Sequence, residues 1–203
     1  MRTETETSTD GRTRRAMRNR EAIVGALFDL VGEGWLQPTA QQVAERADVG
    51  IRTVFRHFDD MESLYALMNE RVEAEVVALL YGGEPSGTIE ERCRGLVAQR
   101  AAFFEKIGPY KHCGNLHRWR SKYLQEQHAR LVRALRADLV RWLPALESAA
   151  DDVVGSFDLA TSFEAWDRLR SDQRCGRERA RAVVQRTLTA LARTYLGSGG
   201  DSR

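Results

Sequence analysis

In the stretch Thr39 to Phe58, TAQQVAERADVGIRTVFRHF, the apolar residues Val43, Ala44, Ala47, Val49, Val54 and Phe58 fall at spacings that let two short helices cross over one small core. That pattern constrains the chain more than any other part of it. Ala44 is small enough to permit close approach at the crossing. Asp48 sits where the chain must reverse, and Asp tolerates the left-handed backbone better than most residues. Thr39 follows Pro38 and reads as an N-cap, its hydroxyl accepting a hydrogen bond from a free backbone N–H. With Val54 and Phe58 turned inward, Arg52 and Arg56 point away from the core, and Thr53 and Phe55 flank them. A helix face with two arginines, a hydroxyl and an aromatic suits a reader of the DNA major groove.

Most of the flanking sequence is helical in pattern. Residues 1–11 are polar and lack periodicity, so they read as a disordered tail. Arg12, Arg14, Arg15, Arg18 and Arg20 then form a basic run into a helix over residues 13–33. Cations at a helix start oppose its dipole, which favours an arm touching phosphates or the minor groove. Ile23, Leu27, Leu30 and Val31 give that helix one apolar stripe. Gly32 and Gly34 end it, and Trp35 and Leu36 are expected to cover the small core. A further helix starts at Asp59-Asp60 and runs to about Tyr81, before the break GGEPSG at residues 82–87.

Beyond the break, a capping-box pattern, Thr88 with Glu91, opens a helix to Ile107, which Gly108-Pro109 ends. A short aromatic helix over residues 110–120 follows, then helices over 121–143, 151–170 and 176–196. No strand pattern or repeat appears. The fold class is therefore all-α, with about nine helices.

Bulk properties narrow the function. The chain has 203 residues and is 42% hydrophobic, enough for a small domain plus a larger one, or a single helical domain. It holds no apolar run near the roughly 20 residues of a membrane helix, and no secretory pattern. Three scattered cysteines argue against a disulfide framework and for a reducing cytoplasm. A net charge of +2 does not announce nucleic-acid binding, so the distribution of charge must carry that case. Paired carboxylates at a defined spacing, a nucleophile beside a base, and a glycine-rich phosphate loop are all missing, which argues against an enzyme. His112, Cys113 and His117 match no strong zinc spacing, and no metal or cofactor is expected.

Residues 20–72 carry AIVGALFDLVGEGW, then TAQQVAERADVGIRTVFRHF, then DDMESLYALMNERV. In that order and spacing they resemble the DNA-binding domain of the TetR (tetracycline-repressor-like) family of bacterial regulators. The resemblance implies a three-helix helix-turn-helix domain over residues 12–59, a connecting helix over 60–82, and a ligand-binding and dimerisation domain over 83–203. It implies a homodimer on a pseudo-palindromic operator, acting as a repressor until a small-molecule effector releases it. An activator, a regulator answering a protein partner, and a helical ligand carrier or enzyme with a degraded reader are the alternatives.

The resemblance also assigns residues. Arg52, Arg56, Ile51 and Thr53 are expected at base edges or adjacent phosphates. Thr39, Phe55 and His57 are expected on the backbone, with Arg14, Arg15 and Arg18 adding affinity. The chain departs from the family's habit at Gly50, Phe55 and Met61, each giving up a usual cap or phosphate contact, and Asp48 replaces a turn glycine. Fewer phosphate contacts imply a shallower salt dependence. Effector-lining candidates are Phe103, Phe104, Ile107, Tyr110, His117, Trp119, Tyr123, Phe163 and Trp166, aromatic residues of the kind that line small-molecule sites. Dimer candidates are Val153, Phe157, Thr161, Val184, Thr187, Leu188, Leu191 and Tyr195.

Overall fold

The computed structural model of the protein describes residues 4–197, with side chains from Gly11 onward. Among the described residues there is no strand. The α-helices are α1 (Glu4–Gly32), α2 (Ala40–Arg46), α3 (Ile51–His57), α4 (Met61–Leu80), α5 (Ile89–Arg118), α6 (Lys122–Trp142), α7 (Asp151–Ala160), α8 (Phe163–Asp167) and α9 (Arg177–Tyr195). The chain divides into two compact units: Met1–Ala74 with Pro109–Gln125, and Glu75–Gly108 with Glu126–Arg203. The division crosses α4, α5 and α6, whereas the sequence sets residues 60–82 apart as a connecting helix between domains over 12–59 and 83–203.

The first unit is built on caps. Gly34 takes φ +99°, Gly34 N–H donates to Val31 O at 3.0 Å, and Trp35 N–H reaches back to Leu30 O at 3.0 Å. This Schellman arrangement satisfies the last carbonyls of α1 and turns the chain toward α2. Asp48 closes α2 in the same way. Its φ is 53°, its N–H donates to Glu45 O at 3.2 Å, and Val49 N–H donates to Ala44 O at 3.0 Å. The expectation for Asp48 thus holds. Thr39 caps α2 in a full capping box. Gln42 N–H donates to Thr39 Oγ1 at 3.2 Å, and Thr39 N–H donates to Gln42 Oε1 at 2.8 Å. Thr39→Ala removes one side of that box and is expected to cost about 1 kcal/mol, read by urea denaturation. An unchanged midpoint and slope would contradict the cap.

Inside the unit, Ile23, Leu27, Val31, Val43, Ala44, Val54, Phe58, Leu64 and Met68 are buried. Fully burying each large side chain contributes about 1.5–3 kcal/mol. Tyr110 stacks on Phe28 at 4.8 Å, with the Arg71 guanidinium 4.4 Å from the Phe28 ring centroid. A Cβ at Gly32 would come within 2.9 Å of the Tyr110 hydroxyl, so this helix end stays small where the tyrosine meets it. Trp35 and Leu36 are exposed and do not cover the core; the Schellman turn carries them past it.

Three expectations fail, two of them for local reasons. Helix α1 begins at Glu4, inside the expected tail. Pro109 lies inside α5 and does not end it. A proline removes one bond, to the carbonyl of residue 105, and strains one turn. Buried residues on both sides, Phe104 and Ile107 before it and Tyr110 and Cys113 after it, hold the flanking turns in place. The single helix expected over 151–170 is broken after α7. Thr161 Oγ1 donates to Phe157 O at 2.8 Å, and Ser162 Oγ accepts from Ala165 N–H at 3.1 Å, capping α8. Side-chain bonds to the backbone compete with helix continuation in this way. A π-helical turn, Arg168–Asp172, follows α8.

In the second unit, Thr88 and Glu91 form the expected capping box at the start of α5 (2.8 and 3.3 Å). The core gathers Leu96, Phe103, Phe104, Leu139, Trp142, Leu146, Phe157, Phe163, Trp166 and Leu188. Glu105 ties α5 to the α8 region. Arg170 donates to it twice, at 2.6 and 3.0 Å, and Trp166 Nε1 donates at 3.0 Å.

Candidate nucleic-acid interface

Helix α3 is a seven-residue helix with a sorted surface. Val54 is 1% exposed and Phe58 closes the turn beneath it. On the opposite side Ile51, Arg52, Phe55 and Arg56 are exposed, Phe55 by 53%. Residues three and four apart share a helix face, so Arg52, Phe55 and Arg56 lie together, with Ile51 one turn before Phe55. Thr53 and His57 are half-buried at the edges. Gly50 caps the helix without a side-chain bond. An exposed cationic and aromatic strip on a short helix, anchored by one apolar turn, has the shape and chemistry to enter a DNA groove.

Around this strip the supporting residues differ in role. Arg14, Arg15 and Arg18 are exposed on α1, on a regular helix and not on an extended arm. The Arg20 guanidinium lies 5.8 Å from the Phe58 ring centroid, over the core of the unit. Thr39 Oγ1 is occupied by the capping box, donating as well to Gln42 Oε1 at 3.1 Å. At the start of α4, Asp60 Oδ1 accepts from Ser63 N–H and Oγ–H, both at 2.8 Å, and these bonds hold its carboxyl below the usual range. Met61 beside it is half-buried.

His57 Nε2 is buried and makes no hydrogen bond. Burial, then the charges of Arg56 and Arg20, pull its pKa below the ordinary value. His117, half-buried in the same unit, is lowered by burial alone. The unfolded chain therefore takes up these protons first. Stability is fully present above the unfolded value of about 6.5 and is lost as pH falls through the depressed folded values. Melting temperature is expected to fall on acidification across this window, and less steeply in His57→Gln plus His117→Gln. A slope unchanged by the double substitution would refute the assignment.

The expected effector residues are divided between the units. Tyr110, His117, Trp119 and Tyr123 lie in the first. Tyr110 is buried against Phe28, His117 stacks on Tyr65 at 4.5 Å, and Tyr123 Oη donates to Ala66 O at 3.3 Å. Trp119 is 80% exposed just past the end of α5, with the Arg118 guanidinium 5.9 Å from its ring centroid. Phe103, Phe104, Ile107, Phe163 and Trp166 lie buried in the second unit. There the Phe104 ring is 5.7 Å from Phe103 and meets Phe163 edge-on at 5.6 Å.

Cys113 is fully buried near the Tyr65 hydroxyl, and burial pushes its thiol up to about 12. A thiol held protonated is a poor nucleophile. Among the described residues no group of three or more His, Cys, Asp or Glu is placed to hold a metal. No helix among them is long and apolar enough to cross a membrane.

The expected dimer residues differ in exposure within the single chain. Phe157, Thr161, Val184 and Leu188 are buried inside the second unit, where α7 packs on α9. Val153 and Leu191 are half-buried, and Thr187 and Tyr195 are exposed. Both helices are amphipathic, but the apolar stripe faces the chain's own core. Their outer sides carry Leu159 (71% exposed) and Val183 (40%), with a groove of about 390 Å³ along α9 lined by Ala182, Gln185, Arg186, Thr189, Ala190 and Arg193.

Sequence reasoning also passed over Arg100 and Asp138, which are buried together in the second unit. Their signal was present: each charged residue stands in step with an apolar stripe, Arg100 with Leu96, Val97 and Phe104, and Asp138 with Leu135 and Trp142.

No family model matches the chain, and no curated protein matches it in sequence. Solved structures do resemble it. A transcriptional regulator from Rhodococcus sp. Rha1 superposes with a TM-score of 0.67 at 19% identity, over 87% of this chain and 97% of that one. A TetR-family transcriptional regulator from Streptomyces coelicolor superposes with a TM-score of 0.67 at 16% identity, over 87% of this chain and 81% of that one. The chain thus has the all-α fold of these regulators and resembles the TetR family in structure as in its reader sequence.

Proposed function

We propose that this protein is a DNA-binding transcriptional regulator that docks α3 of each of two subunits into the major groove of a pseudo-palindromic operator. The observation that carries the proposal is the outer face of α3, where Arg52, Phe55 and Arg56 are exposed together while Val54 anchors the helix from behind. The fold shared with two proteins named as transcriptional regulators supports it. Arg52 and Arg56 take base edges or adjacent phosphates, Ile51 and Thr53 meet bases, and Thr39, Phe55 and His57 fix register on the backbone. Arg14, Arg15 and Arg18 add phosphate contacts from α1.

Two readers must sit one DNA turn apart, ~34–36 Å, which calls for a homodimer. The outer faces of α7 and α9, with Leu159, Val183, Thr187 and Tyr195, are the surface proposed for it. The regulator acts as a repressor in the cytoplasm. A small-molecule effector favours a dimer whose α3 helices no longer match the half-sites, with a strength set by how differently it binds the two states.

Sequencing the genomic fragments the protein retains tests the reading. A two-fold symmetric motif near its own gene is expected, with neighbouring transcripts rising when the gene is deleted. Retention of DNA without a shared motif would overturn operator recognition. A fall in those transcripts would overturn repression. Sedimentation as a monomer at micromolar concentration, with and without that DNA, would overturn the dimer.

A further inference from the structure

In the second unit Arg100 is a charged group with two buried N–H positions that the chain does not satisfy. Arg100, on α5, is 2% exposed. Its Nη2 donates to Leu135 O at 2.5 Å and lies 3.3 Å from Asp138 Oδ2. Its Nε and Nη1 are buried and donate to nothing. Buried guanidinium N–H groups without acceptors are costly, and each calls for an explanation. Asp138 cannot supply one, because it is already shared. Arg141 donates to Oδ1 through Nε (3.0 Å) and Nη2 (2.8 Å), and Gln99 Nε2 reaches Oδ2 at 3.2 Å. Gln99 in turn accepts from Trp142 Nε1 at 2.7 Å.

Charge decides what could fill the place. Asp158, on α7, attracts Arg100 electrostatically, but no hydrogen bond joins them; Arg136 and Glu164 act on Asp158. Three cations (Arg100, Arg136, Arg141) thus stand among four carboxylates: Asp138, Asp158, Glu164 and, 3.9 Å from Arg136, Asp151. The cluster has no shortage of negative charge, and Arg100 lacks only acceptors. A ligand carboxylate would add an unmatched negative charge beside Asp158 and Glu164. An ammonium would meet the Arg100 guanidinium. A neutral carbonyl oxygen brings lone pairs and no charge. One helical turn along α5, Phe104 shares the face of Arg100 and meets Phe163, which sets an apolar wall near the polar group.

We infer that Arg100 anchors a small neutral carbonyl compound on an apolar or aromatic body, whose oxygen accepts from the free Nε–H or Nη1–H. This rests on the effector reading above and names the chemistry of the effector's polar end.

The test is a titration of the full chain, with nitrogen-labelled arginine, by phenylacetamide, phenylacetate and phenethylamine, following the Arg100 Nε–H signal by NMR and the melting temperature. Phenylacetamide is expected to move the signal saturably and to raise the melting temperature. The other two are expected to leave the signal in place. Arg100→Lys keeps a cation near Leu135 O and Asp138 but lacks Nε and Nη1, so apparent amide affinity should fall by at least about tenfold. Should that variant not fold, the wild-type titration decides alone. An unmoved signal, an equal response in Arg100→Lys, or tighter binding of phenylacetate would overturn the inference. Repeating the titration on the DNA complex separates the two ideas. An amide bound at Arg100 with DNA still held contradicts the effector reading and leaves the site standing. A compound that releases DNA without moving the signal contradicts the site and leaves the effector reading standing.

Discussion

Arg52→Ala combined with Arg56→Ala should weaken operator binding by at least about 30-fold while leaving the melting temperature unchanged. The size follows from the chemistry of groove reading. A bidentate arginine lost from a base edge costs roughly 1–3 kcal/mol, so two from one subunit cost roughly 2–6 kcal/mol, and the lower end is already about 30-fold. The unchanged melt follows from exposure. Both side chains lie on the outer face of α3, and the core beneath is made by Val54 and Phe58. Substitutions on such a surface normally stay within about 0.5 kcal/mol. Fluorescence anisotropy with operator duplex, paired with thermal melting, checks both halves. Affinity within threefold of wild type would move the reading face elsewhere. A lowered melt would mean that the arginines hold the fold, and any lost binding would then be secondary.

The largest stability effect lies far from that face. Asp138→Ala should lower unfolding free energy by about 3–5 kcal/mol, the cost of breaking a buried ion pair by removing one partner. Asp138 is fully buried, pairs with Arg100 and accepts hydrogen bonds from Arg141 and Gln99. Its removal leaves the Arg100 guanidinium in the core, where burial already pulls its pKa down to about 10. The Arg181–Glu178 pair is a control. It spans one turn of α9 at 3.0 Å with Glu178 exposed and Arg181 half-buried, and such surface pairs contribute at most about 1 kcal/mol. Urea denaturation of Asp138→Ala and Glu178→Ala should separate the two clearly. Equal losses would show that the buried cluster contributes no more than a surface contact.

The parts of this protein written in local rules could be read from the sequence. The crossing of α2 and α3, the cap at Thr39 and the left-handed turn at Asp48 each depend on residues within a few positions, so pattern and geometry agree. The same local rules misled at Pro109, where a helix breaker is overruled by buried side chains on both flanks. They also missed the break after α7, because Thr161 and Ser162 interrupt a continuous apolar pattern through side-chain bonds. Dimer residues depend on information of another kind. An amphipathic stripe says that a helix buries one face, not whether it does so within its own chain, and Phe157, Val184 and Leu188 are buried within one subunit. Arg100 and Asp138 show the converse, since charged residues in step with an apolar stripe mark a buried site that no motif describes.

The outer face of α3 is tested most directly by modified operators. Guanine is replaced, one position at a time, by its analogue lacking N7, and thymine by uracil, and each duplex is bound to wild type and to variants at Ile51, Arg52 and Arg56. Arginine reads guanine through N7 and O6, and apolar side chains meet the thymine methyl. Wild type should lose affinity at positions repeated symmetrically in the two half-sites, and at each of them one α3 variant should show no further loss. If every modification costs the variants as much as it costs wild type, α3 does not read the bases and the account is wrong.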